Sequence, residues 1–249
     1  MIRAIALVDL DDTLFQTLRK CPPDVPVESL LPLGFARDGA PLSFATPRQA
    51  MFVDWLAATS LLIPVTARSL DALRRVRVPF AAAVCAHGGV VLDVNSKVDP
   101  VWHGRMSAAA ARDAAFLDDL ASAVSSVAEE RGAALSVRVL EEGGLRLYVL
   151  VKHEDGDEEA LRSMVETAVP TLPDGWVRHR NGNNVALLPP WLGKAKAVEY
   201  LLSSLRAAHP QLPVIGIGDS LTDAPFMGLC DFAMMPSRSQ LADLVLHDR

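Results

Sequence analysis

The stretch Ile5-Ala6-Leu7-Val8-Asp9-Leu10-Asp11-Asp12-Thr13-Leu14-Phe15 decides how the rest of the chain is read. A short apolar run with β-branched residues has the length and composition of a buried strand. It ends abruptly in three carboxylates within four positions, then a Thr, then apolar residues again. An isolated Asp after a strand is commonly a turn former or a helix N-cap. Three crowded acids are different: they repel one another unless a cation neutralises them, and hard carboxylate oxygens suit Mg²⁺. In open α/β sheets the ligand crevice lies outside the carboxyl ends of the strands, where this turn would sit.

Working outward, the chain repeats the same device. Thr46-Pro47 has the form of an N-cap and first helical residue, with a helix expected to about Ala58. Leu61–Val65 reads as a second buried strand ending in Thr66-Ala67-Arg68, with a short helix near Ser69–Val76. Ala81–Cys85 is a third strand, closed by His87-Gly88-Gly89. Far downstream, Lys194 opens a helix to Ala208, with Ala197, Val198, Leu201, Leu202 and Leu205 inward. Pro213–Ile217 is a strand ending in Gly218-Asp219-Ser220-Leu221-Thr222-Asp223; Phe232–Met235 is a last strand, and Ser237 is placed to cap a closing helix. The stretch from about Gln16 to Phe44 is long for a loop and is expected either to be a flap over the site or to hold a short element that the sequence does not place. Lys20 and Arg37 in this stretch read as solvated.

The middle of the chain changes pattern. An Ala-rich helix is expected from Ser107 to Arg131, with Gly132 ending it. Leu135, Val137 and Val139, and then Leu145, Leu147, Val149 and Val151, alternate with polar residues on either side of Glu142-Gly143-Gly144, as in a hairpin with one apolar face. Asp157 caps a second helix, and Trp176–Arg180 with Asn184–Leu188 form another strand pair. The expected fold is therefore α/β: a doubly wound, Rossmann-like, mostly parallel sheet formed by 1–92 and 188–249, with an α+β cap domain inserted at 93–187.

Composition narrows the function. With 249 residues, half of them hydrophobic, the chain can bury one large or two modest cores, and a net charge of −6 argues against nucleic acid as a partner. Cys21, Cys85 and Cys230 lack metal-ligand spacing and read as free thiols of a reducing compartment. The lack of a signal-peptide pattern and of a membrane-length apolar run leads to the expectation of a cytoplasmic protein with no membrane partner.

In a parallel sheet the strand ends would bring Asp9, Asp11, Thr66, Asp219 and Asp223 to one edge. Acids, one hydroxyl and one Lys describe Mg²⁺-assisted phosphoryl transfer through an aspartyl-phosphate. At this point the sequence resembles a haloacid dehalogenase superfamily phosphatase with a large α/β cap, of the branch containing sucrose-phosphate, trehalose-phosphate and mannosyl-phosphoglycerate phosphatases. Asp9-Leu10-Asp11-Asp12-Thr13 matches the first motif, Thr66 the second, Lys194 the third and Gly218-Asp219-Ser220-Leu221-Thr222-Asp223 the fourth. Asp12 stands where the first motif commonly has Gly.

The resemblance implies that Asp9 is the nucleophile and a Mg²⁺ ligand. Asp11 is general acid/base with its backbone carbonyl on the metal, Thr66 and Lys194 hold the phosphoryl group, and Asp219 and Asp223 complete the metal site. Arg68 is a candidate substrate-binding residue. So are Arg138, Arg146, Arg178 and Arg180, expected on an open face of the cap sheet as a basic roof for a substrate with anionic character beyond its reacting phosphate. The partner implied is a small phosphorylated metabolite such as a sugar phosphate. A phosphomutase is the alternative enzyme. An aspartyl-phosphate receiver domain fits less well, because its phosphoacceptor Asp follows the third strand and here that strand ends in Cys85-Ala86-His87.

Overall fold

A computed structural model of the chain describes residues 1–247. In chain order the elements are β1 (Ala4–Val8), β2 (Gln16–Thr17), β3 (Leu31–Phe35), β4 (Pro41–Ala45), α1 (Pro47–Thr59), β5 (Ser60–Pro64), α2 (Leu70–Leu73), β6 (Ala83–Cys85) and β7 (Val90–Leu92). Then come α3 (Pro100–Glu130), β8 (Leu135–Glu142), β9 (Leu145–His153), α4 (Glu158–Ala168), β10 (Val177–Arg180) and β11 (Val185–Leu188). The last group is α5 (Lys194–Ala208), β12 (Val214–Ile217), α6 (Ala224–Met227), β13 (Phe232–Met234) and α7 (Gln240–Ala242). Residues 1–100 with 194–249 form one compact unit and 101–193 another.

The first unit is built on a parallel sheet of order β13-β12-β1-β5. A parallel bridge between Val65 and Val84 carries it on to β6. Chain order runs outward from β1 through β5, then returns to the other side of β1 with β12. The direction of winding therefore reverses between β1 and β12, the place where doubly wound sheets open a crevice at their carboxyl ends. β1 is the central strand, and Ile5, Ala6, Leu7 and Val8 are fully buried, which explains an apolar run without alternation. α1 begins with the capping box expected of Thr46-Pro47: the Thr46 hydroxyl accepts from the Gln49 amide, and the Gln49 side chain returns to the Thr46 amide.

The stretch left unplaced between Gln16 and Phe44 is structured. β2, β4 and β3 form a small antiparallel sheet with the order β2-β4-β3, irregular in register at Pro32, Gly34 and Phe35. Its outer strand is tied to the segment after α2, where the Phe35 amide donates to the Arg75 carbonyl (3.1 Å) and the Arg77 amide to that of Leu33 (2.7 Å).

The second unit is a four-stranded antiparallel sheet of order β10-β11-β9-β8, with α3 and α4 on one face. Leu117, Leu120 and Val124 of α3 and Leu161 and Val165 of α4 pack on Val149, Val151, Val185 and Leu187. α3 starts at Pro100, seven residues before the Ser107 cap expected, because Pro is pre-set for a first helical position. The closing helix is likewise capped by Ser239 rather than Ser237.

Two glycines make the packing testable. A Cβ on Gly216 in β12 would lie 2.9 Å from the Met227 Cα and from the Cys230 Sγ, whereas one on Gly104, inside α3, would meet nothing within 4 Å. Gly216→Ala should lower the urea-unfolding free energy by about 1–3 kcal/mol, and Gly104→Ala should raise it by about 0.5–1 kcal/mol. Equal effects of the two substitutions would contradict this packing.

Candidate active site

Asp9 follows β1, and its amide donates to the Ile217 carbonyl of the neighbouring β12 (2.8 Å), so the first and fourth motifs are stitched together by backbone. Asp9 is buried, and its Oδ1 accepts from Lys194 Nζ at 2.6 Å. The same ammonium donates to Asp223 Oδ1 at 2.7 Å. Asp223 Oδ2 accepts from the Ser220 hydroxyl (2.7 Å) and amide (3.1 Å), which fixes this fully buried carboxylate. Lys194 reaches both acids because it opens α5 at the carboxyl edge of the sheet. Gly218 is required here, since a Cβ on it would stand 2.5 Å from that of Asp223.

Among the described residues, Asp9, Asp219 and Asp223 each offer an oxygen within 4.8 Å of the others. The Thr13 hydroxyl lies between two of them, 3.4 Å from Asp9 Oδ2 and 3.2 Å from Asp219 Oδ1. One ammonium faces three carboxylates, and the charge does not balance. Burial, and then the Asp223 charge, hold the Asp9 carboxyl well above the ordinary carboxylate range despite Lys194. Burial, Asp223 and Asp12 push Asp219 up to about 6. Lys194 itself is raised: burial works against its charge, but Asp9 and Asp223 outweigh it. Excess negative charge on hard oxygen donors in a compact cluster fits a divalent cation held by Asp9, Asp219 and Asp223.

Asp11, expected at the metal through its backbone carbonyl, directs its carboxylate to Arg68. Arg68 Nε donates to Oδ2 and Nη2 to Oδ1, both at 2.7 Å. Burial disfavours the Arg68 charge, but the Asp11 contacts outweigh it and its pKa is raised. Thr66 is buried at the end of β5, and its hydroxyl accepts from the Arg68 amide at 3.1 Å, which leaves its hydrogen free to be donated. The next loop braces both residues: the His87 amide donates to the Thr66 carbonyl (3.2 Å) and the Ala86 amide to that of Arg68 (2.7 Å). Ala86 and His87 adopt positive φ of 51° and 55°, followed by Gly88 at 96°. Left-handed backbone costs a non-glycine residue about 1–2 kcal/mol, a strain that the buried surroundings sustain.

The four arginines expected as a basic roof do not share a face. Arg178 pairs with Leu187 and Arg180 with Val185 across the β10–β11 ladder, so both lie on the helix-packed side. There Arg180 is bonded to Glu166 of α4 and Arg178 to the Val169 carbonyl. Arg146 is clamped by Asp118 of α3. Arg138 stays on the other face, opposite Leu150, with Lys152 opposite Ser136 as its diagonal neighbour. Burial and the nearby Arg138 charge depress the Lys152 pKa. Of the residues the sequence left without a role, Thr13 was inside the first motif, whereas Ser43 of β4, 3.1 Å from Arg68 Nη2, carried no signal in the sequence.

No protein-family model matches the chain, and no curated protein matches it. Solved structures do match in fold. The trehalose-6-phosphate phosphatase C-terminal domain of C. albicans superposes with a TM-score of 0.61 at 15% identity, over 91% of this chain and 73% of that one. A trehalose-6-phosphate phosphatase related protein gives 0.52 at 18% identity, over 93% and 86%. The sucrose-phosphatase of Synechocystis sp. PCC6803 gives 0.50 at 16% identity, over 98% and 96%. The chain thus shares its fold with these phosphatase structures. No helix among the described residues is long and apolar enough to cross a membrane.

The charge imbalance has a thermodynamic signature. Asp219 titrates near 6 in the folded protein against an ordinary value of 3.8, so between these limits the folded state binds more protons than the unfolded one. Without metal, its contribution to stability should therefore fall as pH rises from about 4 to above 6. A cation that needs ionised ligands should stabilise more at high than at low pH. Millimolar Mg²⁺ should raise Tm clearly at about pH 7.5 and much less at about pH 5. An equal shift at both pH values would count against binding at these carboxylates.

Proposed function

We propose that this protein is a Mg²⁺-dependent phosphomonoesterase that hydrolyses a small phosphorylated metabolite, a sugar phosphate foremost, through an aspartyl-phosphate on Asp9. The observation that carries the proposal is Lys194 Nζ bridging Asp9 Oδ1 and Asp223 Oδ1 beside Asp219. A buried carboxylate held in one orientation beside a fixed ammonium is suited to in-line attack on phosphorus. The fold shared with phosphatases named for trehalose 6-phosphate and sucrose phosphate supports the substrate class.

In the first half-reaction an Asp9 oxygen bonds to phosphorus as the bond to the leaving oxygen breaks, and Asp11 supplies the proton that this oxygen takes up. In the second, a water oxygen bonds to phosphorus, its proton passes to Asp11, and the bond to Asp9 breaks to release inorganic phosphate. Lys194 and the Thr66 hydroxyl donate to the transferring phosphoryl oxygens. Asp9, Asp219 and Asp223 would hold a divalent cation, which would supply neutralisation of phosphoryl charge. Arg138 and Lys152, close together on the open face of the second unit's sheet, are the basic pair proposed to favour substrates with further anionic character.

Phosphate release from a panel of phosphorylated sugars, glycerates and nucleotides tests the proposal. Release should require Mg²⁺, stop with EDTA and fall on the order of 10³-fold or more in Asp9→Asn. Release that Asp9→Asn leaves intact would remove Asp9 from the chemistry; phosphoryl exchange between substrates without net release would instead indicate a mutase. For the best substrate, Arg138→Ala should raise KM about tenfold, equivalent to about 1.4 kcal/mol, and an unchanged KM would remove the basic pair from substrate selection.

A further inference from the structure

Asp11 is held by more than the turn that follows β1. Both of its oxygens accept from the fork of Arg68, a planar donor set that matches a carboxylate in one orientation only. Arg68 is itself seated from several sides. Its side chain is only 16% exposed, its guanidinium lies 5.0 Å from the centroid of the buried Phe15 ring, and Nη2 also donates to the Ser43 hydroxyl at 3.1 Å. The backbone of Arg68 is pinned through its amide to Thr66 and through its carbonyl to Ala86, within the strained turn. Ser43 belongs to β4 of the small sheet inserted between Asp11 and Thr66. Opposite it in β3 stands Gly34, where a Cβ would meet the Ser43 Cβ at 3.0 Å and Arg68 Nη1 at 3.4 Å. The inserted sheet thus leaves room for the Ser43–Arg68 contact and nothing larger.

We infer that Arg68 is a positioning residue for Asp11, and that the inserted sheet of residues 16–45 serves as its seat through Ser43. The inference rests on the proposed acid/base role of Asp11 and adds to it what holds that group in place. An ionised carboxylate offers about four lone-pair sites, of which the fork uses two. Asp11 therefore stays oriented while an oxygen can still take a proton from water. It also follows that Arg68 acts through Asp11 rather than as a docking point for substrate.

The two roles separate kinetically. Lysine keeps the charge of Arg68 but loses the bidentate fork. If Arg68 positions Asp11, Arg68→Lys should lower kcat on a hexose phosphate about 30-fold or more with KM within about threefold, because a small misplacement of an acid/base group is costly. The loss in kcat/KM, which reports the first half-reaction, should be much smaller on p-nitrophenyl phosphate, whose leaving oxygen departs without needing a proton, whereas hydrolysis of the aspartyl-phosphate slows alike for both. Ser43→Ala, a substitution small enough to fold, should show the same signature at about three- to tenfold and should add little to Arg68→Lys in the double variant. Arg37→Ala, removing an exposed partner of Asp71, should leave both substrates unaffected.

A raised KM with kcat retained in Arg68→Lys, or equal losses of kcat/KM on the two phosphates, would overturn the positioning role and return Arg68 to substrate binding. Full activity of Ser43→Ala would detach the inserted sheet from the site. A wild-type protein that hydrolyses neither phosphate would sink the phosphatase proposal and this inference with it, whereas wild-type turnover lost in Asp9→Asn but untouched in Arg68→Lys would sink the inference alone.

Discussion

One ammonium group set between two buried carboxylates is the constraint around which the first unit is arranged. Lys194 meets Asp9 and Asp223 at hydrogen-bonding distance in a place from which water is largely excluded. Burying an ion pair gains little over an apolar core, but leaving one partner of it unmatched is severely destabilising. The arrangement therefore demands that β1 and β12 be neighbours and that α5 begin at the carboxyl edge of the sheet. It also demands that Gly218 leave Asp223 its space. A third acid, Asp219, exceeds what one lysine can balance, so the site is built short of positive charge. That deficit is a stability cost in the protein alone and a source of affinity for a cation.

The parts of this arrangement that were legible in the sequence are those in which residue type and strand period carry the same message. Asp9 and Asp219 each follow a short apolar run with β-branched residues, the form of a strand buried on both faces. Lys194 was legible because it opens an amphipathic helix. The inserted sheet was not. Pro32 and Gly34 interrupt the alternation of β3, two register shifts follow, and the strand is held by partners distant in sequence, at β4 and at Arg75 and Arg77. A one-dimensional period cannot report pairing of that kind.

The arginines of the second unit show the same limit from the other side. Alternation in β10 told that Arg178 and Arg180 share a face but not which one; the ladder to Val185 and Leu187 decides it, and α4 then supplies Glu166 as a partner. A shift of one residue would have reversed the assignment. Arg146 departs from the expected open face for a related reason: beside the irregularity at Leu140 and Glu141, its long side chain reaches Asp118 on α3. Asp11 was legible as a carboxylate beside the nucleophile, yet the residue that holds it, two positions past Thr66, is recognisable only once β1 and β5 lie side by side.

The position of β1 between β5 and β12 also bears on how the protein is born. Its two neighbours come from opposite parts of the chain, and Asp9 is separated from Lys194 by 185 residues. At ribosomal speeds of about 5–20 residues per second, the first strand waits roughly 10–40 s for that lysine. Throughout the wait the 101–193 unit can gather its own largely local contacts. Until β12 arrives, one long edge of the nascent sheet has no partner. Such an edge invites pairing with other chains, so a strand translated much later, β12, is the one that closes β1 to foreign strands.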